Sequence, residues 1–537
     1  MFTQRLESQL KISIKGKEYK VQGGNIKHCA LHLEREGFTG SLGFYLSNEV
    51  SDDTLIDDWI KNEFVEFELE VAQHSFSKEK PGEPLVLKGV IGQRSVEEKQ
   101  FLDVKKNKVL FRYYRCQLFD PAQYLWQQHR PTQLHVKQTL KKVIQAQLVK
   151  PIKLDMDWPH LEQEQPMVCL GLGAIHVSFY TFLRWYLAQH GAYWLYDYVA
   201  HQYKISADKP EVKPTQEVKL WPEQVELAQM QVAEPDLRST HLLNGHVTLA
   251  SNDAILEGKA LPGVQQDSYL IASIKQDAET AKKQEKPFTA VREPELYTEM
   301  KQWHFNAIHP GCTLQLKHPL WHDKMLAVKA PFLVYRSQWV VNAINAEPMH
   351  DLHMEHSDYE CEVSHCGESL KDKHWPRTQP CLRPFLVHGE ILCEVGDAPD
   401  KTYQYKKDDK TKQHFYRVKI PVFSLEGDKE ILIRFQPDFL PPHFYFPLYK
   451  GTQVEVEMHL FEARITRVLD WGARVFLEQD NQGNHLVFGK NDKDETKLKH
   501  DYQDEKPVLS LERLKEKDTQ LMQMEEGKIT LRTQENE

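Results

Sequence analysis

The chain has 537 residues, 40% of them hydrophobic and 27% charged, with a formal net charge of −10. That length exceeds a single hydrophobic core and points to about three to five domains, while the composition excludes wholesale disorder. The acidic balance argues against a nonspecific nucleic-acid binder, which carries an excess of Lys and Arg.

The N-terminal stretch "MFTQRLESQLKISIKGKEYK" is charged throughout and has no apolar h-region. No signal peptide and synthesis in the cytoplasm are therefore expected. No apolar run approaches the roughly 20 residues that span a bilayer. In "LKISIKGKEYKVQ", Leu10, Ile12 and Ile14 alternate with Lys11, Ser13 and Lys15, the period of a half-buried strand. "TGSLGFYLS", "EFVEFELEVAQ" and "PLVLKGVIGQRSVE" read the same way, giving a small antiparallel barrel or sandwich.

"KVLFRYYRCQLF" is a further strand, punctuated by Pro121 and Pro131. Thr132 is placed to cap a helix from about Gln133 that buries Leu140, Val143 and Ile144. Ser178 is placed to cap a stronger helix, in which Phe179, Phe182, Leu183, Tyr186 and Leu187 recur at helical spacing and which Gly191 ends. "AYWLYDYVAHQYKISAD" returns to strand chemistry. From about Lys209 to Ser239 the chain is rich in Pro, Glu and Gln and reads as a linker or surface loop. A second strand-rich block runs from "HLLNGHVTLAS" to "FLVYRSQWVVNAINA". The order predicts two β-domains with a helical element between them.

Chemical signatures are few. "GLG" at Gly171 to Gly173 lacks the third glycine and the surrounding βαβ unit of a dinucleotide fingerprint. There is no Walker-type loop, no G-x-S-x-G elbow and no H-E-x-x-H. The stretch from His350 to Cys381 gathers His350, His353, His356, Cys361, His365, Cys366, His374 and Cys381, all zinc-ligand types, at a spacing that fits no standard finger or ribbon. A metal site, even a metal-dependent hydrolase, stands there against a plain polar loop insertion over about 346–386. The pairs Asp52–Asp53 and Asp408–Asp409 sit in charged, turn-like stretches and read as solvated loops rather than acid/base machinery. The eight cysteines are scattered, mostly within strand-like patterns, and read as reduced, buried thiols.

From Val387 the pattern sharpens. Val387, Gly389, Ile391 and Cys393 share one phase, as do Tyr416, Val418, Ile420 and Val422, then Ile431, Ile433 and Phe435, then Val454, Val456, Met458 and Leu460. "RITRVLDW" supplies a last strand. Five short strands in this span suit a closed barrel of the OB type. Phe444, Tyr445 and Phe446 are either a stacking platform for single-stranded nucleic acid or packing surface, and the acidic charge favours packing.

These segments, "VHGEILCEVG", "FYRVKIPVF", "IRFQP" and "HFYFPLYKGTQVEVEMHLFEARITRVLDW", resemble the OB-fold domain of spike proteins of contractile injection systems. Those are the VgrG proteins of type VI secretion and their relatives in phage baseplates and extracellular injection particles. Gly389, Val418, Ile420, Pro421, Phe446, Pro447, Gly451, Val454, Val456 and Trp471 stand at the family's positions. "FYTFLRWYLAQHGAYWLYDY" is similar to the family's helix, Gly and aromatic strand. Where the family has Gln-Tyr…Glu-Ser-Asp, this chain has "GAIHVSF", a departure that marks a divergent member.

The resemblance implies a mainly β chain with some α. Residues 1–386 would form a phage-hub-like domain of two tube-protein-like β-barrels with a helical connector, 387–471 the OB-fold domain, and 472–537 a short intertwined trimeric β-prism. It implies a homotrimer that caps a hexameric inner-tube protein, contacts baseplate proteins, carries a PAAR-like tip protein and effectors, and penetrates a target membrane mechanically. Such a protein is assembled in the cytoplasm and exported by the apparatus. It is no enzyme, binds no nucleic acid and needs no cofactor. The residues expected to matter are structural: Gly389, Pro421, Phe446, Pro447, Tyr449, Lys450, Gly451, Asp470 and Trp471. In the tail, Leu486, Phe488, Leu498, Leu509, Leu511, Leu521, Met522 and Leu531 are the apolar positions for the prism to bury. The chain ends soon after, so no fused effector enzyme is expected. The alternative is an OB-fold module that holds single-stranded nucleic acid.

Overall fold

The structure is a computed structural model that describes residues 1–47, 53–74, 82–102, 106, 108–210, 212, 216–247, 249–255, 260–272, 275–290, 292–317, 320–322, 324–375, 381–392, 406–407, 414–426, 429–434, 448, 450–470, 483–491 and 493–535. It is mainly β with short helices. The chain divides into two units, one of Met1–Arg130, Ile144–Glu162 and Val177–Cys381, the other of Pro131–Val143, Gln163–His176 and Leu382–Glu537.

The first unit is built on a 13-stranded sheet. Its main strands are β1 (Phe2–Ile14), β2 (Ile26–Glu34), β3 (Gly37–Ser47), β4 (Val65–Gln73), β5 (Leu85–Leu102), β6 (Lys108–Phe119), β7 (Glu295–Met300), β8 (Phe332–Ala343) and β9 (His356–Ser369). Alternation sets the faces: Leu10, Ile12 and Ile14 of β1 are buried, and Leu10 stands opposite Leu69 and Ile12 opposite Phe67 of β4. The pairing runs β1–β4–β5–β6–β3–β2–β8–β9 and returns to β1, so these strands close a circuit that leaves them no free edge along the paired length. The two strand-rich halves of the sequence thus join in one sheet, at β2–β8 and β1–β9.

Between the halves lie α1 (Pro121–Trp126) and α2 (Phe179–Gln189). Asp120 caps α1 by accepting the Gln123 N–H at 2.9 Å, with Pro121 at the first helical position. Ser178 caps α2 as expected, its Oγ accepting the Thr181 N–H at 3.2 Å, and Gly191 takes φ +72° just beyond the helix end. The helix expected from Gln133 is corrected: Thr132–Thr139 is a strand, and the helix begins at Leu140 and ends at Ala146. Two other loop readings also fail. The segment 209–239 carries the strands Glu217–Leu220 and Val225–Gln231, both in the large sheet. The supposed insertion at about 346–386 contains β9, a central strand paired with β1, β7 and β8.

In the second unit, β10 (Phe385–Ile391), β11 (His414–Lys419), β12 (Glu430–Arg434), β13 (Gln453–Met458) and β14 (Ala463–Asp470) close a barrel. Its circuit runs β10–β11–β12–β14–β13 and back to β10, with only the β12–β14 pair parallel. The order, with β14 seated between β12 and β13, is that of a closed five-stranded Greek-key barrel. The core holds the residues whose alternation predicted it, among them Ile391, Tyr416, Val418, Ile431, Ile433, Val454, Val456 and Met458. Val422 departs from that phase: it sits in the 3-10 turn Pro421–Glu426 and is exposed.

The boundary expected at 387 needs an amendment. An antiparallel strand pair of Thr132–Thr139 and Glu164–Gly171 belongs to the barrel's unit. Leu134, Met167 and Cys169 join the barrel core, and the Cys169 N–H donates to the Leu460 carbonyl at 2.8 Å. Gly171 of the "GLG" stretch lies flat under the Phe385 ring, where a Cβ would stand 2.0 Å from the ring carbon Cε1. That glycine makes room for packing.

Candidate assembly interface

The last described strands are β15 (Asn484–Asn491), β16 (Asp494–Gln503), β17 (Lys506–Lys515), β18 (Asp518–Glu525) and β19 (Lys528–Gln534). They form a five-stranded antiparallel meander in sequence order. Short charged turns join them; between β16 and β17, Asp504 and Glu505 both take positive φ, the backbone of a tight two-residue hairpin.

Register determines what this sheet can do. Leu486 stands opposite Leu498, Leu498 opposite Leu511, Leu511 opposite Met522 and Met522 opposite Leu531. One apolar row therefore crosses all five strands on one face. Beside it runs a second row, His500, Leu509, Met524 and Ile529. Within the described residues this face is uncovered: Leu486 is 50% exposed, Leu511 45% and Leu531 76%. The opposite face is mixed: it carries Val487, Val508 and Leu514 beside the pairs Lys499–Glu512 at 2.9 Å and Lys497–Glu495. Leu521 is corrected here. It faces Glu512 and Arg532 on the mixed side, because it neighbours Met522 in sequence and strand side chains alternate. A sheet must bury its apolar face against another layer, and a contiguous exposed apolar patch of this kind marks an association surface.

The barrel residues expected to matter divide. In β10, a Cβ on Gly389 would lie 2.6 Å from Val418 Cγ1 and 3.1 Å from Val456 Cγ2, so the barrel interior closes only over glycine. Gly451 takes φ +80° in the turn before β13, and its N–H donates to the Ile391 carbonyl at 2.8 Å. Pro421 opens the 3-10 turn and Lys450 sits in the turn with Gly451. Phe446, Pro447, Tyr449 and Trp471 lie outside the described residues, as do Phe444 and Tyr445; Asp470 ends β14, and its side chain is likewise not described. The aromatic-platform question falls on those positions.

The His/Cys cluster does not converge. Among the described residues no group of three or more His, Cys, Asp or Glu is placed to hold a metal ion. His350 and His353 are exposed in the turn before β9, where the His353 N–H donates to Asn25 Oδ1 at 3.0 Å. His356 stacks on His74, ring centroids 4.3 Å apart. Further along β9, Cys361 and His365 point inward while Cys366 points to the other face. Strand alternation thus scatters a group that is dense in sequence. Burial pushes the Cys361 thiol up to about 12 and the His365 imidazole down to about 3. His365 Nδ1 lies 2.9 Å from Ser337 Oγ, but both are sealed in the core, so this pair presents no nucleophile to a substrate.

The carboxylate reading is also corrected at Asp53. It is buried, accepts the Leu55 and Ile56 N–H groups, and pairs with Arg112 at 2.9 Å and the Tyr114 hydroxyl at 2.7 Å. Asp52, Asp408 and Asp409 lie outside the described residues. Cys29, Cys116, Cys169, Cys312 and Cys361 are free and buried as expected, Cys366 and Cys381 are free but only partly buried, and Cys393 lies outside the described residues.

No protein-family model and no curated protein matches the sequence. Solved structures do match the fold. A chain of the lidless PdpA–VgrG complex superposes with a TM-score of 0.71 at 13% identity, covering 99% of this chain and 99% of its own length. A chain of the lidded Francisella PdpA–VgrG complex gives a TM-score of 0.70 at 12% identity over 99% of this chain and 80% of that one. The chain therefore has the fold of a protein found in PdpA–VgrG complexes, from the sheet of the first unit through the barrel to the terminal meander.

Proposed function

We propose that the chain is the hub and spike of a contractile injection apparatus and works as a homotrimer. The observation that carries this reading is the apolar row Leu486, Leu498, Leu511, Met522 and Leu531, which crosses a five-stranded sheet and has no second layer among the described residues. Three such faces turned inward would form a prism with a dry core. Covering each large apolar side chain contributes about 1.5–3 kcal/mol, so two rows per chain supply ample drive for assembly. The shared fold with a chain of the PdpA–VgrG complexes supports the same reading.

On this proposal the first unit caps a hexameric inner tube, three copies matching six-fold symmetry above to three-fold below. Baseplate proteins hold it, a PAAR-like tip protein sits on the prism, and effectors travel with it. The action is mechanical, needs no catalytic residue, and carries the protein from the cytoplasm through a target membrane. What the work demands is stiffness without exposed strand edges, and the closed strand circuit of the first unit and the closed barrel of the second are suited to it. The test is mass in solution: a particle of three 62.9 kDa chains is expected, and a monomer at micromolar concentration rejects the reading.

A further inference from the structure

The second apolar row of the terminal meander holds an imidazole. His500 of β16 stands between Asn484 of β15 and Leu509 of β17, and the row continues through Met524 and Ile529. Along β16 it lies on one face with Leu498, which belongs to the first apolar row, and with Tyr502. Its ring is half-buried, and the Tyr502 ring is set edge-on to it, centroids 5.5 Å apart at 87°.

Register also fixes the charges around it. The sequence neighbours Lys499 and Asp501 point to the mixed face. On the apolar face neither row contains a carboxylate, an ammonium or a guanidinium, and the Tyr502–Pro507 pair beyond them contains none either. Arg513 stands on the far side of the first row, between Thr496 and Gln520, and Asp494, Lys515 and Asp518 come one step further out. In the turns at the His500 end, Asp504 and Glu505 make the hairpin, and Glu526 pairs with Lys506 at 2.8 Å. The rows that flank His500 thus offer an imidazolium no counter-ion.

We infer that His500 makes the assembly of this face sensitive to acid: packed against other copies the imidazole is held uncharged, and taking up a proton releases the copies. The inference rests on the proposed trimer and adds its regulation. An imidazole in water takes up a proton at about pH 6.5, and burial without a counter-ion disfavours the charged form. Separated chains therefore bind a proton below about pH 6.5 that assembled chains refuse, so assembly is strongest above that pH and weakens as the pH falls. Three histidines act together, one per chain. At pH 5.5 each separated chain is favoured about elevenfold by its proton, so the assembly constant falls by up to about a thousandfold and the concentration at half-assembly rises by up to about thirtyfold.

Sedimentation of the full chain over a dilution series at pH 7.5 and pH 5.5, in enough urea to bring dissociation into the micromolar range, tests this beside His500→Leu. The wild-type half-assembly concentration should rise about tenfold or more in acid, and that of His500→Leu less than about threefold. The buried histidines of the first unit are the same in both chains and cancel in the comparison. An unchanged wild-type value, or an equal rise in the two chains, overturns the inference and leaves the trimer standing. A monomer at pH 7.5 without urea overturns the trimer and the inference with it.

Discussion

At position 389 the absence of one carbon decides whether the barrel closes. Gly389 → Ala would push a methyl to within 2.6 Å of Val418 Cγ1 and against Val456 across the interior. Overpacking of this kind costs about 1–3 kcal/mol, which denaturant unfolding of the chain should read as a lower midpoint. Buried histidines give a second outcome at this scale. Burial holds His365 down to about 3 and His190 to about 4, with the neighbouring His160 adding to the His190 shift. The unfolded chain takes up protons at about pH 6.5 that the folded chain refuses. Stability from these two groups is therefore full above about pH 6.5 and falls as the pH drops toward 4, by at most about 1.4 kcal/mol per pH unit for each. Asp120 runs in the opposite sense. Burial raises it to about 6, so its contribution is greatest in acid and declines as pH rises from 3.8 to about 6. Two histidines against one carboxyl predict a lower unfolding free energy at pH 4.5 than at pH 7, and a flat or rising profile toward acid would contradict the burial of these rings.

Adjacent residues of one strand make the sharpest contrast at the level of elements. Leu511 lies in the centre of the apolar row, and Ser510 lies on the mixed face opposite Lys499. Leu511 → Glu should disperse the assembly, since a carboxylate buried at its centre costs several kcal/mol per chain. Ser510 → Glu places the same charge one residue away and should leave the assembled mass unchanged; equal effects from both would remove the face from the account. How far the elements were legible follows from the same alternation. The barrel strands were readable because each buries one face, so Val454, Val456 and Met458 stand in phase. Thr132–Thr139 was misread because "LHVKQTLKKVI" runs a short strand straight into a helix. What makes it a strand is pairing with Glu164–Gly171, a long-range contact that no local window contains. In β9 the density of His and Cys drew attention to metal chemistry, although Tyr359, Cys361 and Val363 already alternated with Glu360 and Glu362 as a buried strand does. Leu521 was placed on the apolar face by its type, and only register assigns it to the other.

For the whole molecule, the elements share one requirement. The first unit closes its strands into a circuit, the second closes a barrel, and the terminal meander keeps a broad apolar face uncovered among the described residues. On the proposed reading, a second and third copy would supply the missing layer and stiffen the assembly. The account rests on the meander as the source of assembly. Sedimentation of the full chain beside a chain ended at Trp471 tests this directly. The account predicts three 62.9 kDa chains in one particle for the full protein and a monomer for the shortened one; equal masses for the two, whether monomeric or trimeric, would contradict it.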